Sequence, residues 1–367
     1  MARTVRVLVL LALSVTIAAV SAREQAQDVD DFVKGWIEKQ HVPGAAIAVI
    51  KDGAVVKTQG YGFADVENRV PTRPETVFKI GSVSKQFIAT GIMLLVQDGK
   101  IAVNDAVSKY LEGTPKAWEA ITLRHLLTHT AGLVREAPGF DFNKLQADVD
   151  VVKTAYPVAL ISAPGEKYAY SNLGYFALAE VISKVSGKPW PEFLRDRVFA
   201  PLGMTATRLT SLAEIIPNRA SGYAWRTGKL HNEDDWPAVR PSGAFVSTVL
   251  DLAKWEMALS GEQILKESTK REMWTRVTLN DGQTFPYGFG WQLDDWPADS
   301  KVPTGIPMIR HGGSMNGFRA GYSRWPSHRL AVIVLTNLTD AAYEGLAANI
   351  AVRYAPELRT SPQVPAN

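Results

Sequence analysis

The sequence predicts an α/β fold: one antiparallel sheet built from both chain ends and flanked by helices, with a mainly helical region inserted between the two halves. Three observations predict it. Two β-rich runs, Ala45 to Ile50 and Ala54 to Phe63, are split by Lys51-Asp52-Gly53, and Asp-Gly between such runs signals a hairpin. A second antiparallel set lies far down the chain, from Met308 to Leu335. The middle, roughly 86–284, carries apolar residues at helical spacing, interrupted by loops.

The elements follow in order. Val29, Phe32, Val33, Trp36 and Ile37 recur at helical spacing and predict a helix over Asp28 to Gln40. The first hairpin follows. Phe87, Ile88, Ile92, Leu95 and Val96 then predict an apolar helix opened by Ser82 and ended by Gly99. Leu173 to Val185 reads as a further helix, with Gly187 just beyond it. Near the C-terminus, Met308 to His311, Phe318 to Trp325 and Leu330 to Leu335 read as strands, with turns at Asn316-Gly317 and Pro326-Ser327. Ala341 to Tyr354 closes the fold as a helix, and the tail from Pro356 is expected to be loose. The expected organisation is a leader over 1–22 and one domain over 23–357. Its sheet parts are about 23–85 and 285–356, its helical insertion about 86–284, and 358–367 is the tail. No internal repeat or low-complexity segment interrupts this plan.

A chain of 367 residues with 46% hydrophobic and 21% charged residues can bury a sizeable core. Arg3 and Arg6, the apolar run Val7 to Val20, and the small residues Val20-Ser21-Ala22 read as a secretory signal cleaved after Ala22. An uncleaved anchor is the alternative, but the run is shorter than the roughly 20 residues that span a bilayer. The mature chain is therefore expected to be exported, periplasmic or extracellular, without a stable membrane anchor. Its net charge would be about +1 and it holds no basic block, so nucleic acid is not an expected partner. The chain contains no cysteine, which excludes disulfides, thiol chemistry and a lipid-modified N-terminal cysteine.

Three short motifs can carry chemistry. In Ser82-Val83-Ser84-Lys85, positions i and i+3 share a helix face, so the lysine can reach the serine hydroxyl. A serine hydroxyl needs a base, and a lysine can serve where burial and a helix N-terminus lower its pKa. Alone the pattern is weak, because a helix-capping serine with a surface lysine gives the same string. Tyr170-Ser171-Asn172 follows Pro164-Gly165 and precedes a helix. Tyr170 can shuttle a proton and Asn172 can hold a substrate carbonyl or Lys85, but an N-cap asparagine beside a packing tyrosine reads equally well. His311-Gly312-Gly313-Ser314 sits at the end of a predicted strand. Its glycines permit close approach to a ligand, and a backbone N–H there could join that of Ser82 in an oxyanion hole. A plain glycine-rich turn is the alternative.

Taken together and in order, Ser-x-x-Lys, Tyr-x-Asn and His-x-Gly resemble the motif set of the serine β-lactamase and penicillin-binding-protein superfamily. The separations fit, with 88 residues from Ser82 to Tyr170 and 141 more to His311. The stretches VFKIGSVSKQF (77–87), ITLRHLLTHTAGL (121–133), PGEKYAYSNLGY (164–175), PLGMTAT (201–207), YGFGW (287–291) and HGGSMNGF (311–318) are similar to the class C branch and its family VIII-type esterase and D-aminopeptidase relatives. The resemblance covers nearly all of the mature chain.

That resemblance implies a β-lactamase/transpeptidase-like fold and a metal-free, cofactor-free serine hydrolase. It implies Ser82 as nucleophile, Lys85 as its base, and Tyr170 as proton relay to the leaving group and the deacylating water. Asn172 would orient Lys85 and the substrate, with His311, Gly313 and Ser314 on the substrate-binding strand. The backbone N–H groups of Ser82 and Ser314 would hold the oxyanion. The six histidines show no zinc-binding spacing. One departure stands out: β-lactamases and transpeptidases usually carry lysine where His311 stands. A histidine is mostly neutral at pH 7, so its pull on an anionic substrate is weaker, which favours the esterase and D-peptidase branch over efficient β-lactam hydrolysis. Arg310 and Arg319 could supply the missing charge, or could be solvated strand-end residues. His125 and His129 read as structural, and the ten scattered tryptophans as core and groove lining.

The substrate would be a small molecule or a peptide, and the oligomeric state is left open. Two other functions compete: a slowly acylating penicillin-binding or sensor protein of the cell envelope, and a purely structural envelope protein.

Overall fold

The computed structural model describes residues 24–236, 241–296 and 305–360. The leader expected over 1–22 and the end of the tail, 361–367, lie outside the described residues.

The chain opens with a helix over 24–39 (α1) and two long strands, Gly44–Lys51 (β1) and Ala54–Asp65 (β2), followed by the short Val70–Pro71 (β3). The hairpin between β1 and β2 turns on two residues. Asp52 and Gly53 have φ of 53° and 78°, the pair of positive values that a right-twisted hairpin needs. The helix after Ser82 spans Lys85–Gln97 (α2), and the later helices used below are Asn172–Ser186 (α3) and Val249–Leu259 (α4). Four strands and a helix return at the end: Gln292–Asp295 (β4), Pro307–Met315 (β5), Phe318–Trp325 (β6), Leu330–Thr336 (β7) and Tyr343–Tyr354 (α5).

The seven strands form one sheet in the order β4-β5-β6-β7-β1-β2-β3, antiparallel throughout. The first strand of the chain thus pairs with the last, Ala46 opposite Leu335 and Ala48 opposite Ile333. The reason is burial on both faces. On one face, Ile47, Val49, Val332 and Val334 pack against Val29 and Val33 of α1 and Leu346 and Ile350 of α5. On the other, Ala46, Ala48, Ile333 and Leu335 join the main core with α2, α3 and α4. A strand covered on both sides reads as a continuous apolar run, as β1 does.

The inserted region is helical but not wholly so. Phe245–Ser247 pairs with both Phe78–Lys79 and Arg208–Leu209, and Tyr223–Arg226 pairs with Lys229–Asn232. Among the described residues, no helix is long and apolar enough to cross a membrane.

Two local expectations are corrected. The strand expected to end at His311 runs on to Met315, so the His-Gly-Gly-Ser stretch lies within a strand. The start of the tail, expected to be loose from Pro356, instead forms a tight turn over Pro356–Thr360. Leu358 is buried against the α1/α5 cluster, and its carbonyl accepts the Trp296 indole N–H at 3.1 Å.

Candidate active site

Ser82 sits on a single 3-10 turn, Gly81–Ser84, ahead of α2. A short strand pins that turn from behind. Ile80 N–H donates to Phe245 O at 3.1 Å, and Phe245 N–H donates to Ser84 Oγ at 3.2 Å. From the front, the turn meets β5. Gly81 has φ of 49°, and a Cβ there would lie 2.7 Å from the Ser314 backbone nitrogen. A Cβ on Gly313 would collide with Ile80 O, and one on Gly312 with the Tyr343 hydroxyl on the opposite face. The glycine pair is therefore required by close approach on both faces of a strand, not by a turn. It brings the Ser314 backbone beside Ser82.

One helical turn on, Lys85 is wholly buried. Its Nζ lies 3.1 Å from Ser82 Oγ, 2.8 Å from Asn172 Oδ1 and 2.9 Å from Ser242 O. The Tyr170 hydroxyl donates to Ser82 Oγ at 2.9 Å, and Nζ stands 4.7 Å from the Tyr170 ring centre. Ser171 caps α3 by accepting the Gly174 N–H at 3.1 Å. The cap is thus Ser171 and not Asn172, whose side chain is left to bind Lys85 through Oδ1 and Glu136 through Nδ2. The first two motifs therefore converge on one hydroxyl from sequence positions 88 residues apart.

His311 lies beside this group, its ring centre 6.5 Å from that of Tyr170. Its Nε2 meets the Tyr287 hydroxyl at 2.9 Å, and its Nδ1 meets Gly312 O at 2.7 Å. Burial, aided by the positive charges of Lys85 and Arg310, pushes its pKa down to about 3. Neither arginine considered as a substitute cation serves the pocket. Strand alternation turns Arg310 to the opposite face, onto Asp294 at 2.6 Å and Glu344 at 3.5 Å. Arg319 pairs with Asp340 at 3.1 Å.

Several residues at the site carried no assigned role in the sequence. Ser242 contributes only a carbonyl, which no motif can reveal. Glu136 and the exposed Arg135 follow the HTAGL stretch after Val134, and the Arg135 guanidinium stands 5.1 Å from the Tyr170 ring centre. Tyr287 belongs to the YGFGW stretch. His129 is buried in a left-handed conformation (φ 59°), 4.2 Å centre to centre from the Tyr170 ring. It shares no helix face with His125, because that helix, Leu123–Leu127, ends before it. His125 instead closes a capping box with Thr122.

The arrangement can deprotonate a hydroxyl and attack a carbonyl. A lysine nitrogen and a phenol flank Ser82 Oγ, and two backbone segments meet beside it. Among the described residues, no group of three or more histidines and carboxylates lies close enough to hold a metal ion.

Comparison with known proteins finds relatives over most of the chain. Residues 26–355 match the family described as Beta-lactamase. The chain is 30% identical over 329 residues to "Penicillin-binding protein 4*" of Bacillus subtilis (strain 168), covering 84% of this chain and 71% of that one. It is 29% identical over 337 residues to a D-aminopeptidase of Gluconobacter oxydans (strain 621H), covering 87% of this chain but only 61% of the relative, less than two thirds of its length. Among solved structures, the octameric penicillin-binding protein homologue from Pyrococcus abyssi superposes with a TM-score of 0.76 at 28% identity, over 91% of this chain and 77% of that chain.

Proposed function

The chain belongs to the beta-lactamase family, and from that premise we propose that it is an exported serine hydrolase that forms an acyl-enzyme at Ser82 and cleaves an ester, amide or β-lactam bond. The observation that carries the reading is the double contact on Ser82 Oγ, from Lys85 Nζ at 3.1 Å and the Tyr170 hydroxyl at 2.9 Å. As a neutral amine, Lys85 has two N–H bonds and one lone pair. Donation of its N–H bonds to Asn172 Oδ1 at 2.8 Å and Ser242 O at 2.9 Å directs the lone pair to the Ser82 hydroxyl at 3.1 Å.

Ser82 Oγ then attacks the carbonyl carbon while its proton passes to Lys85 Nζ. The oxyanion is met by the backbone N–H groups of Ser82 and Ser314. As the tetrahedral intermediate collapses, the proton moves through Tyr170 to the leaving group, and the acyl group stays on Ser82. Water, activated by the same pair, attacks the ester and restores the serine. The substrate is a small molecule or a peptide. A neutral His311 supports esters and amides over β-lactams whose carboxylate needs a cation.

The test is intact mass after incubation of the mature protein, residues 23–367, with a penicillin and separately with a fluorophosphonate, with Ser82→Ala as control. The expected result is a phosphonate adduct on the wild type alone, with little or no penicillin adduct. A penicillin adduct that forms and decays would mean lactamase turnover, and one that persists would mean a binding or sensor protein. Equal labelling of Ser82→Ala would overturn the reading.

A further inference from the structure

Behind Ser82, a chain of hydrogen bonds runs from one backbone group to another through three buried side chains. Ser171 N–H lies 3.1 Å from His129 Nδ1, His129 Nε2 lies 3.2 Å from the Tyr287 oxygen, the same oxygen lies 2.9 Å from His311 Nε2, and His311 Nδ1 lies 2.7 Å from Gly312 O. The two ends fix the outer directions. A backbone N–H can only donate, so His129 Nδ1 accepts and the His129 proton sits on Nε2. That proton goes to the Tyr287 oxygen, which leaves the Tyr287 hydrogen for one of two neighbours, His311 Nε2 at 2.9 Å or the oxygen of Tyr175, whose own hydrogen goes to Leu127 O; the close contact with His311 takes it. His311 Nε2 therefore accepts, its own proton sits on Nδ1, and the carbonyl of Gly312, which can only accept, takes it.

We infer that Tyr287 is a positioning residue that locks His311 in its neutral, Nδ1–H form, so that the substrate-binding strand presents no cation to the pocket. The lock is cooperative. A proton on His311 Nε2 would turn the Tyr287 hydroxyl hydrogen away, towards the Tyr175 oxygen or back towards His129 Nε2–H, donor against donor. Relieving that clash would move the His129 proton to Nδ1, where it would face the Ser171 N–H. Each buried mismatch costs as much as an unmade hydrogen bond.

The surroundings work in the same direction. The groups around His311 are Lys85 from α2, Tyr170 from the segment before α3, and Tyr287 with His129 and, from α3, Tyr175 behind it. Its cross-strand neighbour Tyr322 gives its own proton to Glu256 at 2.7 Å. On its own strand, Arg310 turns to the far face and its acids. His311 is 3% exposed, so water offers little alternative. For catalysis, which rests on the function proposed above, the consequence is that any charge reading of the substrate falls to groups other than the third motif.

The test is nitrogen-15 NMR of the histidine rings in the full mature protein, with His311→Gln assigning the His311 signals. The expected result is a His311 ring protonated at Nδ1 alone, with Nε2 unprotonated and hydrogen-bonded, unchanged from pH 5 to 8. In Tyr287→Phe, Nε2 should move to the position of an unbonded ring nitrogen, and proton uptake should shift to higher pH by about one unit. A wild-type ring protonated at Nε2, or doubly protonated above pH 5, overturns the inference even if Tyr287→Phe does not fold. Fluorophosphonate labelling of Ser82 in the same samples reports on the hydrolase reading separately. A lock with no labelling sinks only that reading, and labelling with no lock sinks only this one.

Discussion

The Lys85 nitrogen has oxygen acceptors on two sides and the Ser82 hydroxyl on the third. Replacing the amine with an amide keeps a polar group near Asn172 and Ser242 but removes the lone pair. Lys85→Gln is therefore expected to lower kcat/KM on a 4-nitrophenyl ester by roughly 10²–10⁴-fold. It should slow phosphonylation of Ser82 in parallel, with the melting temperature moving far less. Steady-state kinetics beside a thermal melt check this. A loss smaller than tenfold would move the base to Tyr170. At this scale the sequence carried much of the answer, because Ser82 and Lys85 are neighbours on one helical turn. It could not carry the charge state of His311. That depends on a hydroxyl 24 residues away and on burial that no single motif encodes.

Elements bring these side chains together, and one of them carries its own pH dependence. The helix Asp148–Thr154 begins with Asp148, whose carboxylate accepts the Trp190 indole N–H at 2.7 Å. Burial raises the Asp148 pKa to about 7, with Glu180 adding to the rise and the Trp190 bond opposing it. The folded state thus holds a proton that the unfolded chain releases near pH 4. The stability this group contributes is present below about pH 4, is lost progressively up to about pH 7, and stays lost above. Asp148→Asn keeps an acceptor for Trp190 without the charge. It should stabilise the protein by roughly 1–4 kcal/mol at pH 8 and by little near pH 4. Denaturant melts of both proteins at the two pH values decide it, and equal effects at both would show that the carboxyl is not the titrating group. The element scale also shows where sequence patterns stop. A Gly-Gly pair reads as a turn, yet it lies within β5 because the Ile80 backbone and the Tyr343 ring press on the strand from either face. The stretch Pro356–Thr360 reads as loose, yet it is held because Leu358 completes the α1/α5 cluster.

Over the whole molecule, the two buried histidines behind Ser82 set a response to acid. His129 lies well below its usual pKa through burial, with Lys85 and His311 as further causes, and His311 lies near 3 for similar reasons. Both are depressed, so the unfolded chain takes up their protons first, below about pH 6.5. Stability is present above that pH and is lost as pH falls, by about 1.4 kcal/mol per unit for each histidine. Asp148 opposes one of them between about pH 4 and 7. The net expectation from the three is a loss of about 1.4 kcal/mol per unit from pH 6.5 to 4.5, measured by urea unfolding. A stability that rises on acidification would show that a histidine is charged in the fold. The sequence by itself determined the fold class, the terminal hairpins and the main helices, because period-2 and period-3.6 patterns are local records of which face is buried. It also determined the three motifs, since each spans at most four consecutive residues. Only the tertiary structure decided that Ser242 O and Tyr170 meet Ser82 and Lys85, that Arg310 and Arg319 turn to acids away from Ser82, and that His311 is buried between the Tyr287 hydroxyl and Gly312 O. The reason is physical: which face a residue takes, how deeply it is buried and which donors meet it are properties of packed elements brought together from distant parts of the chain.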